Sequence, residues 1–404
     1  MKHTSSAVIG ATLALSLLAH SAFAQSYTFQ DIGSLGGATV NGLGLNASGQ
    51  AAGIATNAAG NNRAFFYDSS GIHDLGLIPG ASTGTTRIQP NSGAVGINAS
   101  GQVAGFGTST SRSLNAFVHT GSGPLTSGDV FGTPGTYSQA IGLNNAGVVV
   151  GSASFSTGQH AFLYDGVMHD LGALSSNIGV SATAYSINTA RQVVGISVDQ
   201  VPNTTTITFS AFRTGAGGAA INPATDNLGT LGGADAQAVS INNVGTAVGF
   251  SNLTGSANFH GFATPTGRGI NAATDDLGVL AGYVDSYANN INASGLIAGY
   301  NSLGVTSTGA DISPIATLFI GGKWLDLNTL LPADFGYTLT AANAVNDSGQ
   351  VLAVGLDSAG AQHTFLLSPV VSAAPEPSQT AALGLGILGL AGLMLTARRR
   401  KTMA

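Results

Sequence analysis

Short apolar runs alternate with polar, glycine-rich turns along almost the whole chain. Typical runs are QVAGF, which starts at Gln102, and AFLY, which starts at Ala161. Runs this short, bounded by Gly, Asn and Ser, are typical of β-strands rather than of helices. The pattern therefore predicts an all-β body.

One turn recurs at regular intervals. It has the form hydrophobic-Asn-x-x-Gly, and its asparagines are Asn46, Asn98, Asn144, Asn188, Asn242, Asn292 and Asn346, which gives 300 residues in six steps and a mean period of 50. Asn can hydrogen-bond the backbone two residues on, and Gly accepts a positive φ without steric cost, so the motif predicts a tight hairpin. Arg191 stands where the other turns have Gly. There we expect either a strained left-handed backbone or a different turn type.

Two further segments recur in phase with this turn. The first is an apolar strand that carries one of the phenylalanines Phe65, Phe117, Phe162, Phe212, Phe262, Phe319 and Phe365. The second is a D-L-G-x-L segment that begins at Asp31, Asp74, Asp170, Asn227, Asp276 and Asp326, with a degenerate copy near Asp129. Together with the strands that flank the Asn turn, each repeat offers about four short strands.

A period near 50 residues with about four strands per repeat is the size of a β-propeller blade. We therefore predict a seven-bladed β-propeller over residues 25–370, with the recurrent phenylalanines buried between neighbouring blades. An antiparallel β-solenoid is the alternative, although solenoid coils are usually shorter. Because the body begins with a D-L-G segment and ends with a Phe strand, we expect residues 27–32 to complete the last blade and close the ring.

The first 24 residues have a basic start, an apolar run over residues 7–19 and the small-x-small sequence Ala22-Phe23-Ala24. This order is typical of a secretory signal peptide, so cleavage is predicted between Ala24 and Gln25. A transmembrane helix is the alternative interpretation, but the apolar run is short for one.

The last segment, residues 371–404, has three parts. Pro375-Glu376-Pro377 is followed by an uncharged apolar stretch over residues 380–397 and then by the basic end Arg398, Arg399, Arg400 and Lys401. An apolar stretch of this length, at about 1.5 Å per residue, just spans a hydrocarbon core of about 30 Å, which predicts a transmembrane helix. The basic end should stay in the cytoplasm and leave the body outside. A proline-rich linker followed by an ordinary anchor is the alternative.

These three parts, in this order at the chain terminus, resemble the PEP-CTERM sorting signal of Gram-negative bacteria. The resemblance implies that Pro375, Glu376 and Pro377 are recognised by an exosortase in the membrane, and that the protein is associated with biofilm or exopolysaccharide production. The repeats resemble the HAF extracellular-repeat family, most closely in HAFLYDGVMHDLGAL from His160 to Leu174. Most other copies lack the His, so this second resemblance implies an exported location and a repeat architecture rather than a reaction.

Charge and cysteine content narrow the function classes. Between Gln25 and Ala374 the chain has 17 Asp, no Glu and seven basic residues, a formal charge of about −10. A nucleic-acid-binding surface needs the opposite balance. The chain has no Cys, which excludes disulfides, thiolate metal sites and a Cys nucleophile.

The sequence offers few candidates for catalytic or metal-binding residues. The body's histidines lie at or beside recurring strand positions, without a G-x-S-x-G or H-E-x-x-H motif, and they are His73, His119, His160, His169, His260 and His363. The repeated Asp of D-L-G could bind calcium, but Asn227 in its place favours a turn-capping role. We therefore predict no catalytic, metal or cofactor-binding residue, with calcium as the alternative.

Features that occur once are better candidates for binding. They are the insertions at residues 199–208 and 303–314 and the single Trp324, which we expect to be buried, although an exposed Trp would suit stacking on a sugar. The sequence thus predicts an exported interaction module of the cell envelope or extracellular matrix, with exosortase and the membrane as processing partners and exopolysaccharide as a candidate ligand. A secreted propeller enzyme that acts on polysaccharide is the alternative.

Overall fold

The computed structural model describes residues 26–81, 91–108, 113–132, 136–175, 177, 180–200, 207–306 and 309–370. The predicted signal cleavage site at Ala24 and Gln25, the Pro375-Glu376-Pro377 motif, the apolar stretch 380–397 and the basic end 398–401 lie outside these residues. Within the described ranges, no helix is long and apolar enough to cross a membrane.

Strands make up nearly all of the regular structure in the described residues, and the one helix there is the short 3-10 helix η1 (Leu327–Leu330). This confirms the all-β prediction. Consecutive antiparallel strands form units, each of which begins with the strand that leads into an Asn turn.

The strands of units 1 to 4 are, in chain order, β2 (Gly36–Leu45), β3 (Ala51–Asn57), β4 (Asn62–Asp68) and β5 (Gly71–Asp74) in unit 1; β6 (Ser92–Ile97), β7 (Gln102–Thr108) and β8 (Leu114–Thr120) in unit 2; β9 (Ser138–Leu143), β10 (Val149–Phe155), β11 (Gly158–Tyr164) and β12 (Met168–Gly172) in unit 3; and β13 (Ser181–Ile187), β14 (Val193–Gln200) and β15 (Ile207–Arg213) in unit 4.

The strands of units 5 to 7 are β16 (Gly232–Ile241), β17 (Ala247–Leu253) and β18 (Phe259–Thr264) in unit 5; β19 (Asp285–Ile291), β20 (Ile297–Ser302), β21 (Ile315–Ile320) and β22 (Lys323–Asp326) in unit 6; and β23 (Thr338–Val345), β24 (Val351–Leu356) and β25 (Gln362–Pro369) in unit 7, which also takes β1 (Tyr27–Asp31).

The prediction of four strands per repeat holds for some units and not for others. In units 2, 4 and 5 the D-L-G segment makes a single bridge to the Phe strand instead of a fourth strand, and these bridges are Phe117 to Val130, Phe212 to Asn227 and Phe262 to Asp276. The segment still follows the edge of the sheet there, but with one paired residue rather than a ladder.

Each Asn turn is held by the asparagine side chain itself. In the first turn, the Asn46 Oδ1 accepts hydrogen bonds from the N–H groups of Ser48 and Gln50, at 3.0 Å each. The N–H of Gly49 donates to the Asn46 carbonyl, and Gly49 has a φ of 76°. The repeated motif therefore specifies the turn through one side chain and one positive φ, as the sequence predicts.

The same asparagines also join neighbouring units, which the sequence did not predict. Each Nδ2 donates to the backbone carbonyl of the next turn's asparagine, in the order Asn46 to Asn98 (3.0 Å), Asn98 to Asn144 (3.2 Å), Asn144 to Asn188 (3.1 Å), Asn188 to Asn242 (3.1 Å), Asn242 to Asn292 (3.2 Å), Asn292 to Asn346 (3.0 Å) and Asn346 to Asn46 (2.9 Å). The last bond returns to the first residue. The hydrogen bonds thus form a closed asparagine ring, and every member is buried.

The two ends of the body pair with each other as predicted. β1 runs antiparallel to β25, with Tyr27 opposite Pro369 and Asp31 opposite Phe365. The Ile32 N–H continues the ladder to the Thr364 carbonyl at 3.1 Å. The outer strand of unit 7 therefore comes from the start of the body. A closed ring of antiparallel sheets around a channel is the β-propeller architecture, and this closure excludes the solenoid alternative.

Six of the seven recurrent phenylalanines are buried, as predicted. Phe65, Phe117, Phe162, Phe212, Phe262 and Phe365 have no exposed surface. In five of these six, the ring packs against a glycine on the neighbouring strand: a Cβ at Gly53, for example, would lie 2.6 Å from the Phe65 ring. The clusters also reach the preceding unit, since Phe162 packs with Ala104 and Ala116 of unit 2.

The prediction for Phe319 is wrong. Gly299 on β20 pairs with Thr317, so Thr317 holds the position that Phe occupies elsewhere and Phe319 lies two residues further on, half-buried. The missing ring is supplied by Trp324 on β22, which is 4% exposed and packs with Val248 of unit 5. Its Cη2 lies 3.3 Å from where a Cβ of Gly299 would be. This confirms the predicted burial of Trp324.

Arg191 adopts the first of the two expected conformations. Its φ is 58°, and its N–H donates to the Asn188 carbonyl at 3.1 Å as the turn glycines do. The turn type is therefore unchanged and the backbone strain is real. The side chain makes an exposed ion pair with Asp165 of unit 3 at 3.0 Å.

We expect Arg191→Gly to raise the free energy of unfolding by about 1 kcal/mol, because it removes left-handed strain. The lost ion pair offsets little of this gain, because solvent screens it. Urea unfolding provides the measurement. Arg191→Ala is the matched control: it keeps the strain, loses the ion pair and should not stabilise. Equal stability of the Gly and Ala variants would contradict a strained backbone.

Candidate functional site

A β-bulge marks the first strand of every unit at the same distance before the Asn turn. The pairing register skips one residue there, and the skipped residues are Leu43, Val95, Ile141, Tyr185, Val239, Asn289 and Asn343. A bulge turns the extra residue out of the regular alternation. All seven line one central cavity of about 460 Å³. We call them the bulge ring.

A second cavity of about 240 Å³ lies next to the first, beside the asparagine ring. The two cavities share lining residues, Leu45 and Ser240 among them, and so form one channel. The channel is the candidate functional site, because it is the concave surface to which all seven units contribute.

Apolar and polar side chains are unevenly distributed around the bulge ring. Units 1 to 5 contribute four aliphatic side chains and Tyr185, whereas the adjacent units 6 and 7 contribute Asn289 and Asn343. The channel wall therefore has a wide apolar arc and a narrow amide arc. The repeated sequence pattern hides this difference, because the bulge position is not part of any recurring motif.

Both amides of the narrow arc are oriented by the next unit. The Asn289 Nδ2 donates to the Ala342 carbonyl at 3.1 Å. The Asn343 Nδ2 donates to the Gly42 carbonyl at 2.8 Å and to the Asn41 Oδ1 at 3.0 Å. These bonds use one N–H of Asn289 and both N–H groups of Asn343, and the Oδ1 atoms of both residues accept no hydrogen bond from another described residue. The arc consequently presents two hydrogen-bond acceptors.

The residue after each bulge sets how closely neighbouring units approach. A Cβ at Gly142 would lie 2.5 Å from the Tyr185 carbonyl oxygen, so this position must be small in unit 3. Unit 6 instead has Asn290, whose Oδ1 accepts from the Val345 N–H at 3.0 Å and whose Nδ2 reaches the Ser240 hydroxyl at 3.3 Å. Asn290 thereby spans units 5 and 7 and adds to the polar side of the channel.

The channel lining is nearly uncharged. Burial, and then the nearby Tyr137, raise the pKa of the Tyr185 phenol, so it stays neutral at physiological pH. The lining of the described cavities has no Lys, Arg, His or Glu, and Asp347 at the mouth is the carboxylate. The Asp347 Oδ1 accepts from the Ala293 N–H at 2.8 Å.

The six histidines singled out in the sequence do not converge. Each lies within 3.2 Å of an Asp carboxylate, in the pairs His73–Asp68, His119–Asp129, His160–Asp170, His169–Asp165, His260–Asp276 and His363–Asp31. Three of these pairs, at His160, His260 and His363, join the residue two before the buried Phe to the Asp of a D-L-G segment. In these copies the histidine therefore ties the third strand of the sheet to its edge.

One cluster has the composition of a hydrolase triad but not its geometry. The His73 Nε2 lies 3.0 Å from the Ser70 hydroxyl and 3.2 Å from the Asp68 carboxylate. A triad needs the base to contact nucleophile and carboxylate through its two different nitrogens. The Ser70 hydroxyl also donates to Asp68 directly at 2.6 Å, so the three groups cap the hairpin between β4 and β5.

The D-L-G aspartates cap turns, which is the role that Asn227 in place of Asp indicated in the sequence. The Oδ1 of Asp31, Asp74, Asp170 and Asp276 accepts from the N–H two residues on, at 2.7 to 2.8 Å, and the Asn227 Oδ1 does the same at 2.8 Å. An amide serves as well as a carboxylate because only an acceptor oxygen is required. Among the described residues, no group of three or more acidic or His side chains could hold a metal ion.

The insertions were the other predicted binding features. Part of the first, residues 201–206, lies outside the described residues. The second contains a bridge between Val305 and Asp311 and exposes Leu303 and Val305. Burial raises the pKa of Asp311, which accepts a hydrogen bond from the phenol of Tyr300. Since Tyr300 also lines the channel, the insertion is connected to the channel wall.

The fold and its channel define the chain as a β-propeller protein. No protein-family model and no curated protein matches the sequence. Among solved structures, the chain is similar to the β-propeller domain of the Trilobed protease from Pyrococcus furiosus, which has an open velcro topology: 9% identity, 85% of this chain and 94% of that one covered, TM-score 0.41. It is also similar to the six-bladed, fucose-recognising lectin of the fungus Aleuria aurantia: 15% identity, 78% and 99% covered, TM-score 0.30. Likenesses this weak bear on neither activity nor ligand.

Proposed function

We propose that this protein is a seven-bladed β-propeller that acts as an exported interaction module of the cell envelope or extracellular matrix. The observation that carries the proposal is the channel: a shaped, nearly uncharged wall in which hydrogen-bond acceptors face apolar side chains. Such a wall suits binding, because it offers polar and apolar complementarity while its one carboxylate, Asp347, has no second acidic or basic partner in the described lining.

The blade number is inferred from the asparagine ring. Each strand unit contributes one asparagine to it, and the bond from Asn346 to Asn46 completes the cycle. If each unit is one blade, the ring contains seven, which matches the seven sequence repeats.

Export is inferred from the two ends of the sequence. Residues 1–24 have the order of a signal peptide, and residues 371–404 resemble an exosortase sorting signal. Exosortase and the membrane are the partners proposed for processing, and exopolysaccharide is the matrix component proposed as ligand. The acidic body argues against nucleic acid as a partner.

The alternative, a polysaccharide-cleaving enzyme, has less support. Glycoside hydrolysis uses two carboxyl groups about 5 to 9.5 Å apart. In the described channel lining the carboxylate is Asp347 at the mouth, without a second one beside it. Acid–base chemistry would therefore have to come from elsewhere in the chain.

Export and anchoring can be tested by truncation. A chain that ends at Ala374 should fold and appear as soluble extracellular protein, because the last described strand, β25, ends at Pro369, whereas the full-length chain should first fractionate with membranes. Cell fractionation and circular dichroism provide the measurement. Aggregation of the shorter chain, with native folding only in the presence of residues 375–404, would contradict this prediction.

Ligand binding can be tested on a polysaccharide array with the folded full-length protein. We expect retention on at least one matrix polysaccharide, and no retention after heat denaturation. A folded protein that binds none of the polysaccharides, and that releases reducing ends from one of them, would instead support the enzyme alternative.

A further inference from the structure

The bulge ring breaks the symmetry of the repeats at two adjacent positions. Five successive units place Leu43, Val95, Ile141, Tyr185 and Val239 on the channel wall, and the next two place Asn289 and Asn343 there. Units 2 and 5 show that an aliphatic residue fits the same bulge, because Val95 and Val239 occupy it there. The repeat architecture therefore does not require the two amides.

We propose that this channel is a binding site for a neutral carbohydrate, with Asn289 and Asn343 as its hydrogen-bonding residues. This inference rests on the proposed matrix-interaction function and names the ligand class and the site for it.

The amide arc calls for hydrogen-bond donors on the ligand. The Asn289 NH₂ group donates one hydrogen bond to the next unit and the Asn343 NH₂ group donates two, and these bonds fix the orientation of both amides. Both residues line the cavity, and their oxygens accept no hydrogen bond from another described residue, so a ligand in the cavity can donate to them. Hydroxyl groups along the edge of a sugar ring are suitable donors.

The opposite arc calls for apolar surface on the same ligand. Leu43, Val95, Ile141 and Val239 offer aliphatic surface, and Tyr185 adds an aromatic ring whose hydroxyl makes no hydrogen bond to another described residue. A pyranose ring has C–H groups on its faces and hydroxyls on its rim, so it can satisfy both arcs at once. Aromatic side chains with a polar end suit such mixed surfaces.

The charge of the channel lining and the size of the cavity further restrict the class of ligand. An acidic sugar would lose the hydration of its carboxylate in a lining that has no cationic side chain, and Asp347 at the mouth would repel it. The inner cavity of about 460 Å³ lies in the range of small-ligand pockets, about 300 to 1,000 Å³. It therefore suits the end of a saccharide chain rather than its length.

The test is isothermal titration calorimetry of the full-length chain with methyl glucoside, methyl galactoside, cellobiose, maltose and lactose, alongside methyl glucuronide. We expect binding of at least one neutral sugar. Methyl glucuronide should bind more weakly than methyl glucoside, because it differs from it by the carboxylate.

Asn289→Val with Asn343→Val, which copies the residue of units 2 and 5, should weaken binding of that sugar by about tenfold to thirtyfold, as expected for the loss of two neutral hydrogen bonds. Asn258→Val is the matched control, because Asn258 is exposed outside the channel, and it should leave the affinity unchanged. Val95→Phe keeps both amides and places a larger ring on the apolar arc, which narrows the cavity. It should also weaken binding, so the inference remains testable even if the double variant does not fold.

The outcomes separate this inference from the proposed function. Retention of polysaccharide on the array by the Val95→Phe variant with unchanged affinity would overturn the channel site and leave the interaction function standing. If the folded wild-type protein is retained by none of the polysaccharides, both the channel site and the proposed interaction function are overturned. Failure of every neutral sugar to bind, or tighter binding of methyl glucuronide than of methyl glucoside, would overturn the ligand class.

Discussion

Removing Tyr27–Asp31 should expose β25 to solvent and greatly increase the hydrogen-exchange rate of its amides. These five residues form the outer strand of unit 7. The Asp31 carboxylate also lies 2.9 Å from the Nδ1 of His363. Phe29 lies 4.7 Å from the Phe335 ring, so aromatic packing is lost as well. Tyr27 is buried, and burial of a large side chain stabilises a fold by about 1.5 to 3 kcal/mol. We therefore expect unit 7 to open before the rest of the ring.

The internal control is unit 3, on another part of the ring, where the amides around Phe162 should keep their protection. Hydrogen exchange read by mass spectrometry resolves the two segments in one experiment. Normal protection around Phe365 in the shortened chain would show that β1 does not stabilise the closure. Uniform loss of protection would instead mean that the units do not open separately.

Phe162→Ala should lower the free energy of unfolding by about 3 to 5 kcal/mol, because a fully buried ring is replaced by a cavity. The ring packs over Gly151 on the neighbouring strand, where no side chain can fill the space, and against Ala104 and Ala116 of unit 2. The loss is therefore felt both within unit 3 and at its boundary with unit 2. Urea unfolding with an unchanged m-value would measure it.

Unit 6 supplies the matched comparison. Phe319→Ala should cost clearly less than Phe162→Ala, since Phe319 is half-buried and lies off the recurring position. Trp324→Ala should cost as much as Phe162→Ala, about 3 to 5 kcal/mol, because Trp324 fills the same space between units 5 and 6. Equal losses at Phe162 and Phe319 would contradict the register assigned to β21.

The sequence predicts those features that depend on residue types within a repeat and on the order of its segments. The Asn turn, the buried phenylalanines and the closure by β1 follow from residue types and from the phase of the segments. At Phe319 the repeat pattern alone does not determine which residue is buried. Side chains two residues apart face the same side of a strand, so an aromatic at either position satisfies the same pattern. Only the pairing of Gly299 with Thr317 identifies the true register.

Contacts between units could not be predicted from the repeat. The motif shows that Asn46 can fix its own turn, but its second bond, to the Asn98 carbonyl, depends on the distance between units. The same is true of the candidate site. Asn289 and Asn343 lie at a bulge, where the two-residue alternation fails, and the sequence gives no signal that these side chains turn into a channel. For the same reason, the sequence could not predict that the channel lining has few charged side chains.

The position of β25 has a mechanical consequence. This strand lies between β24 and β1, and Pro369 is its final residue. The hydrogen bonds of an antiparallel ladder are perpendicular to the strands. A pulling force applied at Pro369 along the strand axis is therefore carried in shear by both ladders together, so many bonds must break at once. A force that separates Tyr27 from Pro369 instead breaks the outer ladder one pair at a time. The propeller should thus resist tension at its carboxyl end far better than tension between its two ends.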